Sequence, residues 1–314
     1  MNWPRSGMPL ATRTEFPRVA KARQWQVLLL GSTGQLGQEI LRRVRQELAL
    51  PFTLSVLNRE QFDLATLNQK LDSHPLAAQL ALFDIIINCA AYTAVDLAES
   101  EAELATAINH HAVEYLAQFA ADHDQILIHI STDFVFDGQI GRPYLETDSP
   151  APLNHYGRSK LGGELAIEAS LERFVILRTA WLFSEFGHSF VKSIGQKLLA
   201  GQSLRIVGDQ FGCPTPAAEV AKVVIGFCQR IVAGEEVYGL WHFVGAPATT
   251  WYQLAVAIAE SLAERGHPTS PEQITAITSD QWPAAARRPN YSVLDCGKIC
   301  ARFAIELPNW KLFL

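Results

Sequence analysis

Residues 27–37 constrain the fold more than any other stretch of the chain. Val27-Leu28-Leu29-Leu30 is a short, wholly apolar run of the kind buried on both faces of a parallel sheet. It passes directly into Gly31-Ser32-Thr33-Gly34-Gln35-Leu36-Gly37, and Gln38 to Leu48 then has helical periodicity. In that order of strand, loop and helix, glycines let the backbone turn tightly and approach a pyrophosphate, whose charge is met by amides at the helix N-terminus. The spacing is Gly-x-x-Gly-x-x-Gly rather than Gly-x-Gly-x-x-Gly. A tight turn alone can use glycines, but this position near the start of the fold predicts a dinucleotide site at Gly31, Thr33, Gly34, Gln35, Leu36 and Gly37.

The following segments extend the prediction. Phe52 to Leu57 reads as a second strand, and its end should lie beside an adenosine ribose, where an acidic residue would favour NAD. The chain has Asn58-Arg59 there. A guanidinium can hold a 2′-phosphate, so NADPH is expected and NADH remains possible; an exposed loop arginine is the plainer alternative. Asp63 and Leu64 could close an adenine pocket, and Asp63 could equally cap the helix beginning near Leu64. Phe83 to Ala91 is a strand ending in small residues, which would let a cofactor lie against Ala90, Ala91 and Tyr92. Beyond it, Tyr92 to Glu99 leads into a helix reaching about Ala121. Ile126 to Ile130 runs into Ser131-Thr132-Asp133, setting hydroxyls at the carboxyl edge of a sheet, and His129 reads as a packed core residue.

Tyr156 precedes Lys160 by four residues at the start of an apolar-periodic segment, so a helix would place both on one face. The ammonium could then favour the phenolate, since a tyrosine at roughly pKa 10 shuttles protons poorly near neutrality. A solvated surface pair would have the same spacing. Another buried strand, Phe174 to Leu177, completes an alternation that indicates a parallel, doubly wound, Rossmann-like α/β sheet. Past Trp181 the alternation loosens, predicting a second, smaller, mostly C-terminal α/β lobe. The expected division is an extension over 1–24, a dinucleotide-binding domain over 25–180 plus about 217–246, and a substrate lobe over about 181–216 plus 247–314. Val220 to Ile231 should be a helix packed back on the sheet, Tyr238 to Val244 a strand, and Trp251 to Ala263 a helix. Arg287 and Arg288 could clamp a diphosphate or face solvent.

Composition narrows the class. A chain of 314 residues with 48% apolar and 18% charged residues can bury a sizeable core, and it contains no run of membrane-spanning length. Its net charge of −6 argues against nucleic-acid binding. Cys89, Cys213, Cys228, Cys296 and Cys300 are scattered without metal-ligand spacing, so reduced thiols in the cytoplasm are expected. In residues 1–24, Pro4, Pro9 and Pro17 work against a helix while five basic residues face Glu15 alone. A disordered tail or an upstream start is expected there, with a transit peptide as the alternative.

Taken in chain order, Gly31 to Gly37, Asn88 to Glu99, Ser131 to Gly138, Pro152 to Glu164, Arg178 to Trp181, Asp209 to Thr215, Thr250 to Ala255 and Ala286 to Leu294 are similar to stretches of a known family. The chain resembles the extended short-chain dehydrogenase/reductases, and within them the dTDP-4-dehydrorhamnose reductases, over roughly residues 26 to 310. The resemblance implies NAD(P)H-dependent reduction of the C4 ketone of dTDP-4-dehydro-6-deoxy-L-mannose to dTDP-L-rhamnose. It implies Tyr156 as proton donor, Lys160 lowering its pKa and holding the nicotinamide ribose, and Thr132 as a second donor to the ketone oxygen. It further implies Thr93, Asp96, Thr132, Asp133 and Trp181 at the sugar and Arg287 or Arg288 at the diphosphate. Leu97 and Phe134 replace the lysine and tyrosine common in the family. Some relatives use a glutamate at Glu39 for Mg2+-assisted dimerisation, whereas a solvated helix residue with no metal is expected here; a homodimer is possible. Two other resemblances remain open: an NADP-binding regulatory subunit like the β subunit of methionine adenosyltransferase, and a reductase or epimerase of another nucleotide sugar.

Overall fold

The computed structural model describes residues 24–47, 49–67 and 71–314. The predicted extension, apart from Gln24, lies outside the described residues.

Six strands, β1 (Trp25–Leu30), β2 (Phe52–Leu57), β3 (Ile85–Asn88), β4 (Ile126–Thr132), β5 (Phe174–Thr179) and β6 (Gly239–His242), form one sheet in the order β6-β5-β4-β3-β1-β2. Every neighbouring pair is parallel. The alternation of side chains explains why helices cover both faces. Val27, Leu29, Ile85, Ile87, Ile126, Ile128, Val175 and Leu177 point into one core with α1 (Gln35–Gln46) and the helix Ala217–Val232. Leu28, Leu30, Ile86, Leu127 and Ile176 point into the other, against a helix spanning 102–122. Val27, Leu28 and Leu29 are fully buried, and each such side chain contributes about 1.5–3 kcal/mol by leaving water.

The chain passes from β1 to β2 on one side and then to β3 on the other, so the order reverses between β1 and β3. Ligands of open α/β sheets bind outside the carboxyl ends of strands at such a switch point. α1 begins at Gln35, earlier than its periodicity indicated, with Gly34 at its N-cap and no side-chain cap. The expected helix after Tyr92 is built in parts: a 3-10 turn at Leu97–Glu99, then Ala102–Thr106, a π-helical turn at Ala107–His111, and Ala112–Asp122.

A third core collects Phe183, Ile194, Leu198, Leu204, Leu254, Ile258, Leu262, Ile274 and Trp310 between the helices Phe190–Leu199 and Trp251–Glu264 and the two-stranded pair Leu204–Val207 and Ile274–Ile277. Thr250 and Gln253 cap the second of these helices reciprocally. The segment containing Val293, Leu294, Ile299 and Phe303, expected within the smaller lobe, packs into the first sheet core instead. No described helix is long and apolar enough to cross a membrane.

Candidate functional site

Two cavities meet at the carboxyl edge of the sheet. The smaller, about 190 Å³, is walled by Gly31, Thr33 and Gly34 after β1, Asn58, Arg59, Asp63 and Leu64 after β2, and Ala90 and Ala91 after β3. The larger, about 520 Å³, is lined by Gln35, Leu36, Gly37, Thr93, Thr132, Asp133, Tyr156, Lys160, Trp181 and Arg288. Gly34, Cys89 and Ala91 border both, so the two form one groove.

Glycine is required in the loop by close approach. Gly31 has φ +78°, and a Cβ there would sit 2.5 Å from the Ala90 nitrogen. A Cβ on Gly37 would sit 2.3 Å from the Gly31 carbonyl. The uncapped N-terminus of α1, with no acid in its first turn, faces the groove. Gln35 Oε1 there is buried and makes no hydrogen bond. The close-packed glycines and the uncapped helix N-terminus suit an anionic dinucleotide. Arg59 is exposed and paired with Asp63 at 3.2 Å, and Asp63 also caps the 3-10 turn Leu64–Thr66 by accepting from the Ala65 amide.

The chemical end of the groove is assembled by β4 and the helix His155–Ser170. Asn154 caps that helix through Gly157 at 2.8 Å and donates to the Arg287 carbonyl at 2.9 Å, tying it to the C-terminal segment. Thr132 ends β4, accepts from the Phe134 amide at 3.2 Å and lies 3.1 Å from Asp133 Oδ1. Phe134 sets its ring edge-to-face with Tyr156 at 5.9 Å.

The expectation that Lys160 lowers the Tyr156 pKa needs correction, because burial, Thr132 and Asp133 set that value. Lys160 Nζ donates to the Ile130 carbonyl at 2.6 Å and meets His129 Nε2 at 3.0 Å. Burial pushes Tyr156 up to about 12; a hydrogen bond from Thr132 opposes this and the charge of Asp133 adds to it. The phenol therefore holds its proton at neutral pH. Burial also raises Asp133 to about 6, against hydrogen bonds from Ser292 and Thr132. His129 is fully buried as expected, but it is joined to Lys160 rather than packed only among apolar groups.

Trp181 adopts φ +45°, costly for a non-glycine residue, and lies flat on Trp251 with centroids 3.4 Å apart. Gly212 makes room, since a Cβ there would fall 2.4 Å from the indole. Three of the proposed residues are outside the groove lining. Tyr92 turns its hydroxyl to Glu101 at 2.8 Å, Asp96 pairs with Arg288, and Arg287 is exposed.

Glu39 also needs correction. It is 4% exposed, because Ser184 donates to Oε1 at 2.7 Å and Arg42 pairs with Oε2 at 3.0 Å, which leaves the carboxylate internally neutralised. Among the described residues, no cluster of three or more His, Cys, Asp or Glu side chains could hold a metal ion.

Sequence reasoning missed Trp251, His188, Cys89 and Asn109. Asn109, in the π-helical turn, bonds the Tyr92 backbone on both sides and Ser159 of the helix His155–Ser170. π-turns often mark functional sites, but nothing local in a sequence announces one.

Residues 25–314 match the family model described as the RmlD substrate binding domain. The chain belongs to this family. It is 37% identical over 294 residues to the dTDP-4-dehydrorhamnose reductase of Aggregatibacter actinomycetemcomitans, covering 91% of this chain and 96% of the relative. The enzyme of the same name from Escherichia coli K12 is 36% identical over 291 residues, covering 91% and 94%. Among solved structures, the dTDP-4-dehydrorhamnose reductase of Bacillus anthracis in complex with NADP superposes with a TM-score of 0.79 at 28% identity, covering 92% of this chain and 96% of that one.

Proposed function

We propose that this chain is an NADPH-dependent oxidoreductase that reduces the C4 ketone of dTDP-4-dehydro-6-deoxy-L-mannose to give dTDP-L-rhamnose in the cytoplasm. The observation that carries this reading is the placement of Tyr156, Thr132 and Lys160 in the 520 Å³ cavity, continuous with a glycine-lined groove suited to a dinucleotide. The names of the relatives and the NADP in the Bacillus anthracis structure support it.

Bound NADPH supplies hydride; the protein supplies position and a proton. Tyr156, protonated below about 12, donates its hydrogen to the oxygen that becomes an alkoxide as the ketone is reduced. Thr132, with one hydroxyl proton to give, stabilises the same oxygen when it turns from Asp133. Trp181, backed by Trp251, offers an apolar face for the 6-deoxyhexose. Arg288 lines the cleft and meets the diphosphate. The test is loss of nicotinamide absorbance when NADPH and the 4-keto sugar nucleotide are added. Tyr156→Phe should lower the rate by about 10²–10⁴ with NADPH affinity nearly unchanged. Wild-type protein that is folded and binds NADPH but gives no turnover would refute the reading.

A second reading, reduction of another dTDP-linked ketosugar, is favoured by one relative, a probable dTDP-4,6-dihydroxy-2-methyloxan-3-one 4-ketoreductase of Streptomyces antibioticus, 34% identical over 289 residues. NMR of the product distinguishes the two.

A further inference from the structure

Trp181 lies just past the end of β5 and lines the larger cavity together with Thr132 and Tyr156. Its backbone is held in the left-handed region at φ +45°, which residues other than glycine adopt only where their surroundings enforce it. The enforcement is visible. The Trp181 carbonyl accepts from the Thr215 amide at 3.1 Å, and Leu182–Phe183 pairs with Thr215–Pro216 immediately afterwards. The indole meets that of Trp251 with centroids 3.4 Å apart and planes 9° from parallel. Aromatic pairs prefer an offset or edge-on arrangement with centroids about 4.5–7 Å apart, so this overlap is imposed by the chain rather than chosen by the rings.

One short ribbon imposes it. Thr249–Thr250 pairs antiparallel with Phe211–Gly212, and Trp251 follows as the first residue of the helix Trp251–Glu264, whose start is locked by the reciprocal Thr250–Gln253 cap. A Cβ on Gly212 would overlap Trp181 at Cε2, Cζ2 and Nε1. The ribbon therefore supplies both the gap that admits the indole and the ring laid against it. Beyond Trp251 stands Phe190, the first residue of the helix Phe190–Leu199, with centroids 4.6 Å apart and planes at 49°. Trp181, Trp251 and Phe190 all pack against the third core, so the cavity wall is braced by the smaller lobe.

We propose that Trp251 is a positioning residue for the hexose: it holds the Trp181 indole where that ring covers the sugar, and Gly212 keeps the slot open. The role rests on the reductase reading of the site. An indole free to change rotamer loses that freedom each time a ligand settles on it, and a ring already fixed by stacking does not. The nucleotide end of the ligand gains nothing from the stack, because the diphosphate is met by Arg288, which is fixed by Asp96 at 2.7 Å instead. Trp251 should therefore matter to a dTDP-hexose and be almost silent to dTDP.

Calorimetric titration of the full chain with dTDP-L-rhamnose and with dTDP, each in the presence of NADP+, separates the two. Trp251→Leu should weaken dTDP-L-rhamnose by about three- to tenfold, the range set by loss of one aromatic pair, and dTDP by less than about twofold. Trp251→Phe keeps a flat ring and should recover most of the affinity. Gly212→Ala, outside the cavity lining, should weaken dTDP-L-rhamnose by displacing the indole. Stacked indoles also couple optically. Their far-ultraviolet circular dichroism couplet should vanish in Trp251→Leu and Trp181→Leu alike and shrink in Gly212→Ala. In turnover, Trp251→Leu should raise KM for the 4-keto sugar nucleotide while changing kcat by less than about threefold. Equal weakening of dTDP-L-rhamnose and dTDP overturns the proposal, and so does wild-type affinity for both. Should Trp251→Leu not fold, Gly212→Ala decides: wild-type affinity with an undiminished couplet overturns the proposal. Variants that follow the expected pattern in a protein without NADPH turnover count against the reductase reading and leave the role of Trp251 standing.

Discussion

Asp96 and Arg288, 192 positions apart, meet in a two-pronged ion pair, Nη2 to Oδ2 at 2.7 Å and Nη1 to Oδ1 at 3.1 Å. Asp96 is further held by the Ala286 amide at 3.0 Å, and the Arg288 hydrogen bond keeps its carboxyl below the ordinary value. The pair joins the loop after β3 to the C-terminal segment at the mouth of the cleft. A diphosphate entering there competes with Asp96 for the guanidinium. Arg288→Ala should therefore raise the KM for the dTDP-sugar by about tenfold or more while changing kcat less, as expected for loss of a charge-assisted contact. Arg287→Ala, at an exposed side chain, should change KM by less than about threefold. Steady-state kinetics at saturating NADPH checks both, and equal effects would remove the distinction between the two arginines.

Arg59 is the cation placed beside the adenosine end of the groove, where its side chain is 74% exposed and shares Asp63. Such a guanidinium can meet a 2′-phosphate that NADH lacks. Arg59→Ala should lower the NADPH-to-NADH ratio of kcat/KM by about tenfold, mainly through weaker NADPH binding. Parallel titrations with the two cofactors measure it; an unchanged ratio would assign selectivity elsewhere.

Asp133 couples the site to stability. Its value rises from 3.8 to about 6 on folding because burial disfavours the carboxylate. Between those values the folded protein binds more protons than the unfolded chain, so stability falls as pH rises through the window and the full cost is present above about 6. Asp133→Asn removes the charge and should stabilise the protein by about 1–3 kcal/mol at pH 8, with little gain near pH 4, while slowing catalysis. Urea unfolding at both pH values tests the sign, and equal gains would place the effect in packing rather than in the buried charge.

Glu164 and Arg178 form a bidentate pair, 2.9 and 2.6 Å, with both side chains 3% exposed. Arg178 also lies over the Phe136 ring and near His242. The pair fastens the helix His155–Ser170 to β5. Glu164→Gln leaves a buried guanidinium without its counter-charge and should cost about 3–5 kcal/mol. Glu164→Gln with Arg178→Met should recover part of that loss. Denaturant midpoints decide; a double variant no more stable than the single one would contradict the argument.

The sequence by itself determined the sheet and its cofactor edge. A continuous apolar run such as Val27 to Leu30 turns apolar side chains to both faces of its strand, so both faces must be covered, and Gly31 and Gly37 meet backbone within 2.5 Å wherever a Cβ would stand. Ser131-Thr132-Asp133 and Tyr156-x-x-x-Lys160 were legible as motifs because one strand end and one helical turn bring each group together locally. What no local pattern carried was the direction of the long side chains. Lys160 turns to His129 and Ile130, Trp251 lies on Trp181, Asn109 crosses from a π-turn to Ser159, and Glu39 is buried by Ser184 from 145 residues away. Hydrogen bonds and ring stacking act over a few ångströms of space. Only the packed chain decides which distant groups come that close, and so which protons Tyr156 and Lys160 hold.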